Sequence, residues 1–205
     1  MNHPIRLLVV GSSGSGKTTC VMNLLKRPQY NLIFDVIYIC TGEGEISSPL
    51  FRTLPQAKKL TLKEEDLKKL IDDPQKGHNP RLRGCIVFDD PAGSSQFRHD
   101  GQFSRLWSGV GRHRNLSLIC VCQKLTMYPP LLRSNCNYII LFDLGNMKQM
   151  KSFWEEYCFT TWAKFRTKYE RFFTSNNHCF WFLRKEGSRW FAYSSIRPLI
   201  QYGPI

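Results

Sequence analysis

The chain has 205 residues, of which 42% are hydrophobic, with a formal net charge of +13 and a pI near 9.5. That length suits one α/β domain with a substantial core and leaves no room for a separate substrate domain of normal size. The positive excess suits a polyanionic partner, and no apolar run approaches the roughly 18 residues that a membrane-crossing helix needs. The eight cysteines form no C-x-x-C pair. Cys85, Cys120 and Cys122 fall inside apolar runs, where a thiol packs as a small hydrophobe. A reducing compartment follows, and a disulfide scaffold or zinc site does not. Met1 to Pro4 leads straight into an apolar run, so no signal peptide is expected.

In chain order, short β-rich runs alternate with helical or loop stretches, the pattern of a mostly parallel sheet flanked by helices. Ile5 to Val10 reads as the first strand and Thr18 to Leu25 as a helix. Leu32 to Cys40 is a second strand, and Thr41 to Gln56 a surface loop. Thr61-Leu62-Lys63-Glu64 has the capping-box spacing, which predicts Thr61 as the N-cap of a charged helix ending near Asp73-Pro74. Gly84 to Phe88 is a third strand, Pro91 to Ser95 a turn, Phe103 to His113 a helix, Leu116 to Cys122 a fourth strand and Tyr138 to Phe142 a fifth. A further helical stretch precedes two aromatic strands, Cys179 to Leu183 and Trp190 to Tyr193, read as a hairpin. Residues 1–145 carry the motifs, and 146–205 form a basic, aromatic extension of the same domain.

Between the first strand and helix lies Gly11-Ser12-Ser13-Gly14-Ser15-Gly16-Lys17-Thr18, the G-x-x-x-x-G-K-[ST] phosphate-binding loop, with Thr19 next. Its glycines let successive backbone N–H groups point at a bound triphosphate, and the helix N-terminus adds partial positive charge. Lys17 is expected on the β- and γ-phosphates of ATP and Thr18 on Mg²⁺. The third strand ends in Asp89-Asp90. Asp89 is the expected second magnesium ligand, and Asp90 is placed to orient or deprotonate the attacking water, or else simply opens the turn at Pro91. One whole strand, Leu32 to Cys40, separates the two motifs in sequence and favours the ATP-hydrolysing motors over the kinase–GTPase branch. Gln123 ends the fourth strand and is placed to touch the γ-phosphate and the water. The basic run Gly111-Arg112-His113-Arg114-Asn115 reads as an arginine finger, a DNA-phosphate contact or a solvated loop.

Taken together with Pro129-Pro130-Leu131-Leu132-Arg133-Ser134-Asn135 and Tyr138 to Phe142, this ordered set resembles the FtsK–HerA superfamily, and within it the poxvirus-type genome-packaging ATPases of large double-stranded DNA viruses. The resemblance spans Ile5 to Phe142. It implies a RecA-like core, ATP hydrolysis with Mg²⁺, a homo-oligomeric ring (pentamer or hexamer) and movement of double-stranded DNA into a preformed capsid. It also implies a capsid-vertex or membrane-protein partner and a place in the cytoplasm or nucleus of an infected cell, or with the virion. Carried over by position, Lys17, Asp90 and Gln123 act in hydrolysis, with Arg112 the first choice of finger and Arg133 the second. Many motors of the superfamily carry Glu where Asp90 stands here.

In the extension, helical spacing over Thr161 to Phe172 puts Lys164, Lys168 and Arg171 on one face and Trp162, Phe165, Tyr169 and Phe172 on the next. The aromatic stripe reads as core, and the basic stripe as a solvated face or a DNA contact. From Asn146 onward ten Lys/Arg stand against four Asp/Glu. Two other functions compete: a small P-loop kinase, which leaves Gln123 unexplained, and a nucleotide-gated DNA-binding or assembly protein without turnover.

Overall fold

The computed structural model describes residues 4–27, 33–41, 53–55, 57–61, 63–73, 76–89, 101–174, 178–195 and 201–204. Among these residues, nine strands form one sheet. They are β1 (Arg6–Val10), β2 (Val36–Thr41), β3 (Ala57–Thr61), β4 (Gly84–Asp89), β5 (Leu116–Cys122), β6 (Tyr138–Leu141), β7 (Trp181–Glu186), β8 (Arg189–Ser194) and β9 (Gln201–Pro204), in the order β3-β2-β4-β5-β1-β6-β7-β8-β9. The strands from β3 to β6 pair in parallel, and β7, β8 and β9 add antiparallel. All six parallel strands therefore end on one edge of the sheet.

Alternation of side chains along each strand divides the core in two. Leu7, Val9, Ile37, Ile39, Cys85, Val87, Ile119, Val121 and Ile140 face α1 (Lys17–Lys26), which buries Val21, Met22 and Leu25 against them. Leu8, Val10, Ile86, Phe88, Leu118, Cys120, Ile139 and Leu141 face the opposite layer. That layer holds α2 (Glu64–Asp72), a helical run made of α3 (Gln102–Arg105), a π turn (Leu106–Val110) and α4 (Gly111–His113), then α5 (Pro130–Ser134), α6 (Met147–Tyr157) and α7 (Trp162–Thr174). Helices on both faces are why β1, β4, β5 and β6 read as largely apolar runs.

Three expectations are corrected. The N-cap placed at Thr61 is wrong: Ala57–Thr61 is strand β3, paired in parallel with β2 from Ile37↔Ala57 to Thr41↔Thr61, and α2 starts at Glu64 with Lys63 as N-cap. Its two lysines hid the strand, yet charge suits a strand with one unpaired edge. The second strand is Val36–Thr41, beginning later than Leu32. Among the described residues two strands, β2 and β3, and not one, lie between the two motifs in sequence, and the strand between them in space is β5, since β1 pairs with β5 and β5 with β4. The helix expected at 103–113 is present, and Leu106–Val110 within it forms a π segment. The loop from 42 to 52, Asp90 and the turn at 91–95 lie outside the described residues. The hairpin is present as β7–β8, and β9 extends it. None of the eight cysteines, all among the described residues, forms a disulfide. Burial pushes the Cys20 thiol up to about 11 and those of Cys40 and Cys158 to about 12, which suits inert core thiols.

Candidate nucleotide site

The phosphate loop occupies the shared edge, between the end of β1 and the start of α1. Gly16 is the N-cap of α1 at φ 95°, a left-handed conformation that a side chain would strain. The loop is anchored on both neighbours of β1: Gly11 N donates to the Cys122 carbonyl at 3.3 Å, and Ser12 N to the Asp143 carbonyl at 2.7 Å. Lys17 is buried, and its Nζ donates to the Ser12 carbonyl at 2.6 Å, curling the ammonium back over the loop. Ser15 Oγ is buried with no hydrogen-bond partner among the described residues, a donor held within the cradle.

The second half of the site comes from β4. Register places Asp89 beside Val121, and Val121 beside Val9, so the carboxylate reaches the level of the phosphate loop. Thr18 Oγ1 donates to Asp89 Oδ1 at 3.1 Å. A hydroxyl and a carboxylate brought together from separate elements form the oxygen-donor pair that a hard dication takes. Gln123 follows Cys122, which pairs with Val10, and so stands on the same edge between Gly11 and Asp89.

The two arginines lie elsewhere. Arg112 is exposed on α4, ahead of β5, and its charge is felt by Arg6 at the start of β1. Seven strand residues at about 3.3 Å each put roughly 20 Å between it and the phosphate loop. It cannot serve its own γ-phosphate. Arg133 precedes β6 and pairs with Glu156, and its Nε donates to the Tyr128 carbonyl at 3.0 Å. Those bonds give it a structural role on the same far edge, so the second choice of finger is not supported.

The extension supplies contacts that motifs did not signal. Tyr169 of α7 donates its hydroxyl to Asp143 Oδ1 at 2.9 Å and accepts from Leu144 N at 2.6 Å. Burial pushes its phenol far up, keeping it protonated. Gly145, at φ 72°, lets this loop approach closely, since a Cβ there would lie 3.1 Å from Ser12 Cβ. His178, in left-handed backbone conformation, places Nδ1 3.3 Å from the Ser15 carbonyl. Of the basic stripe, Lys164 and Arg171 are exposed and Lys168 is half-buried, while Phe165, Tyr169 and Phe172 are buried as their spacing predicts.

A strand–loop–helix phosphate cradle, a strand-end carboxylate bonded to the loop threonine, and a polar strand end between them define a P-loop NTPase fold. The family described as Poxvirus A32 protein matches residues 1–156, and the chain belongs to it. DNA packaging protein OPG160 of Variola virus is 26% identical over 153 residues, 71% of this chain and 55% of that protein. The OPG160 protein of Vaccinia virus (strain Copenhagen) is 25% identical over the same length and shares. The chain thus spans about half the length of the curated relatives it matches. Among solved structures, the genome packaging NTPase B204 from Sulfolobus turreted icosahedral virus 2, bound to ATP-gammaS, superposes with a TM-score of 0.62 at 14% identity over 98% of this chain and 100% of that one. The shared fold includes the C-terminal extension, beyond the reach of the family match.

Proposed function

We propose that this chain is an ATP-hydrolysing motor that, as a homo-oligomeric ring, drives double-stranded viral DNA into a preformed capsid. The observation that carries the reading is the Thr18–Asp89 hydrogen bond beside the phosphate loop, 3.1 Å across the edge of the sheet. Family membership and the names of the relatives, DNA packaging protein and genome packaging NTPase, support the DNA-moving role.

Thr18 Oγ1 and the Asp89 carboxylate are the groups that would hold Mg²⁺, which neutralises charge between the β- and γ-phosphates when nucleotide is bound. Lys17 exchanges its bond to Ser12 for the phosphate oxygens. The backbone N–H groups of the loop and the N-terminus of α1 hold the rest of the triphosphate. Asp90 takes a proton from the attacking water, and Gln123 senses the γ-phosphate. Arg112 acts on the site of a neighbouring copy, because it stands on the edge opposite its own. Duplex DNA is gripped through its phosphates, with Lys164, Lys168 and Arg171 as candidate contacts. A capsid-vertex or membrane protein as docking partner, and work inside the infected cell or on the virion, complete the reading.

The test is phosphate release by the assembled protein with and without duplex DNA. Stimulation is expected, together with DNA binding that varies little with sequence and weakens with salt at a slope of about −0.9 in log affinity per phosphate contacted. Removing Lys164, Lys168 and Arg171 together flattens that slope. Turnover indifferent to DNA that needs a small acceptor would replace the motor with a kinase. ATP binding without turnover would replace it with a nucleotide-gated binding protein.

A further inference from the structure

Two buried polar side chains, Tyr169 and Gln149, take no part in the chemistry above, yet each is bonded to a loop that carries it. Tyr169 is 2% exposed, and its ring is wedged among Phe165, Phe173 and Trp181, with centroids 5.7, 4.4 and 5.8 Å away. Its hydroxyl bonds both Asp143 Oδ1 and Leu144 N, and the carbonyl of that same Asp143 accepts from Ser12 N inside the phosphate loop. One residue therefore separates the helix from the loop.

Gln149 does the same on the sensor side. Its Oε1 accepts from Leu125 N at 2.8 Å and its Nε2 donates to Thr126 Oγ1 at 3.1 Å, two and three residues past Gln123. Gln149 sits on α6, which packs on α7 through Phe153–Phe165 and Trp154–Trp162 ring contacts at 6.1 and 5.6 Å. The pair of helices is thus one aromatic-packed unit. Gln149 and Tyr169, two of its three buried side chains that carry hydrogen-bonding groups, are bonded at the nucleotide edge, while the third, Tyr157, lies near Glu156 and Arg133. Lys164, Lys168 and Arg171 lie on the face of α7 next to its aromatic one, at i, i+4 and i+7.

We propose that the α6–α7 unit relays between the triphosphate and the DNA backbone, with Tyr169 and Gln149 as the positioning residues that couple them. The relay rests on the DNA-motor reading. A ligand that shifts the phosphate loop at Ser12 or the turn after Gln123 must carry these hydrogen bonds with it or break them. A duplex seated on the basic stripe biases the same unit. By linkage, nucleotide then changes DNA affinity by the same factor as DNA changes nucleotide affinity.

The experiment uses Tyr169→Phe, which keeps the packed ring and removes only the hydroxyl. Affinity for a labelled duplex is measured for the assembled protein without nucleotide and with ATP-γS. The wild type is expected to change affinity between the two states by about fivefold or more. In the variant the ratio falls toward unity, while DNA affinity without nucleotide stays within about twofold of wild type. Gln149→Met, which removes the second link, is expected to act in the same direction and decides the matter if Tyr169→Phe fails to fold. Variants that keep the wild-type ratio overturn the relay. A wild type that binds duplex equally well with and without ATP-γS also overturns it, yet leaves the motor reading standing. A wild type that does not bind duplex at all removes both.

Discussion

Lys17 Nζ lies 2.6 Å from the Ser12 carbonyl, so its charge is already directed across the cradle in which phosphate would sit. A ground-state contact of this kind sets affinity, whereas a base on the attacking water acts as the transition state forms. Lys17→Ala is therefore expected to abolish both ATP binding and turnover. Asp90→Asn is expected to keep ATP affinity and lose turnover by about 10²–10⁴-fold, the usual contribution of a general base. Binding of a fluorescent ATP analogue beside phosphate release separates the two, and near-normal turnover in Asp90→Asn removes it from the role. A different residue works against the fold. Arg6 is 2% exposed, and both of its terminal nitrogens lack hydrogen-bond partners among the described residues. Burial, reinforced by the Arg112 charge, lowers its pKa to about 10. Arg6→Met keeps the stem and removes the stranded charge, so it is expected to stabilise the chain by about 1–3 kcal/mol. Thermal unfolding should register this as a rise of several degrees; an unchanged or lower Tm shows the guanidinium to be satisfied in solution.

At the scale of elements, His78 fastens the segment before β4 to β2. The ring is 3% exposed, bonds Tyr38 Oη through Nδ1 at 3.3 Å and meets the Leu82 carbonyl through Nε2 at 3.2 Å. Burial lowers its pKa below the ordinary 6.5, helped by the charges of Arg114 and Lys58 and partly opposed by backbone hydrogen bonds at Leu82 and Arg114. The folded chain thus disfavours the proton that the unfolded chain accepts. The stability this neutral ring contributes is complete above 6.5 and is lost as pH falls from there toward the depressed folded value. Melting temperatures should drop below pH 6.5, and His78→Gln should flatten that drop; parallel profiles in the two proteins refute the assignment. How far such elements were readable depended on whether local chemistry decided them. The loop at 11–18 and strands β4 and β5 were legible, because glycine spacing and largely apolar runs under two helical layers leave few alternatives. Strand β3 was not, since Thr61 followed three residues later by Glu64 satisfies a capping pattern while pairing with β2 claims the backbone instead. The Tyr169–Asp143 and His178–Ser15 contacts join residues 26 and 163 apart in sequence, and no motif records such a meeting. Which edge Arg112 occupies followed only from strand order.

For the whole molecule, that edge bears on how the proposed hydrolysis would be organised. Each copy carries Lys17, Thr18 and Asp89 at the C-terminal edge of its parallel strands and exposed Arg112 at the other. A head-to-tail ring brings opposite faces of successive copies together, as heterologous interfaces do, and so can present the arginine of one copy to the triphosphate of the next. Complementation tests this directly. Subunits carrying Arg112→Ala and subunits carrying Lys17→Ala are each expected to be inactive alone. Mixed in equal amounts, about a quarter of the interfaces in a randomly assembled heterologous ring should join an intact Lys17 to an intact Arg112. Phosphate release should return in mixtures, peak near equal proportions and vanish toward either pure protein. Co-assembly is checked by mass measurement of differently tagged subunits. Co-assembled mixtures that remain inactive at every ratio exclude Arg112 as a finger in trans, and its roughly 20 Å separation from its own phosphate loop already excludes it in cis.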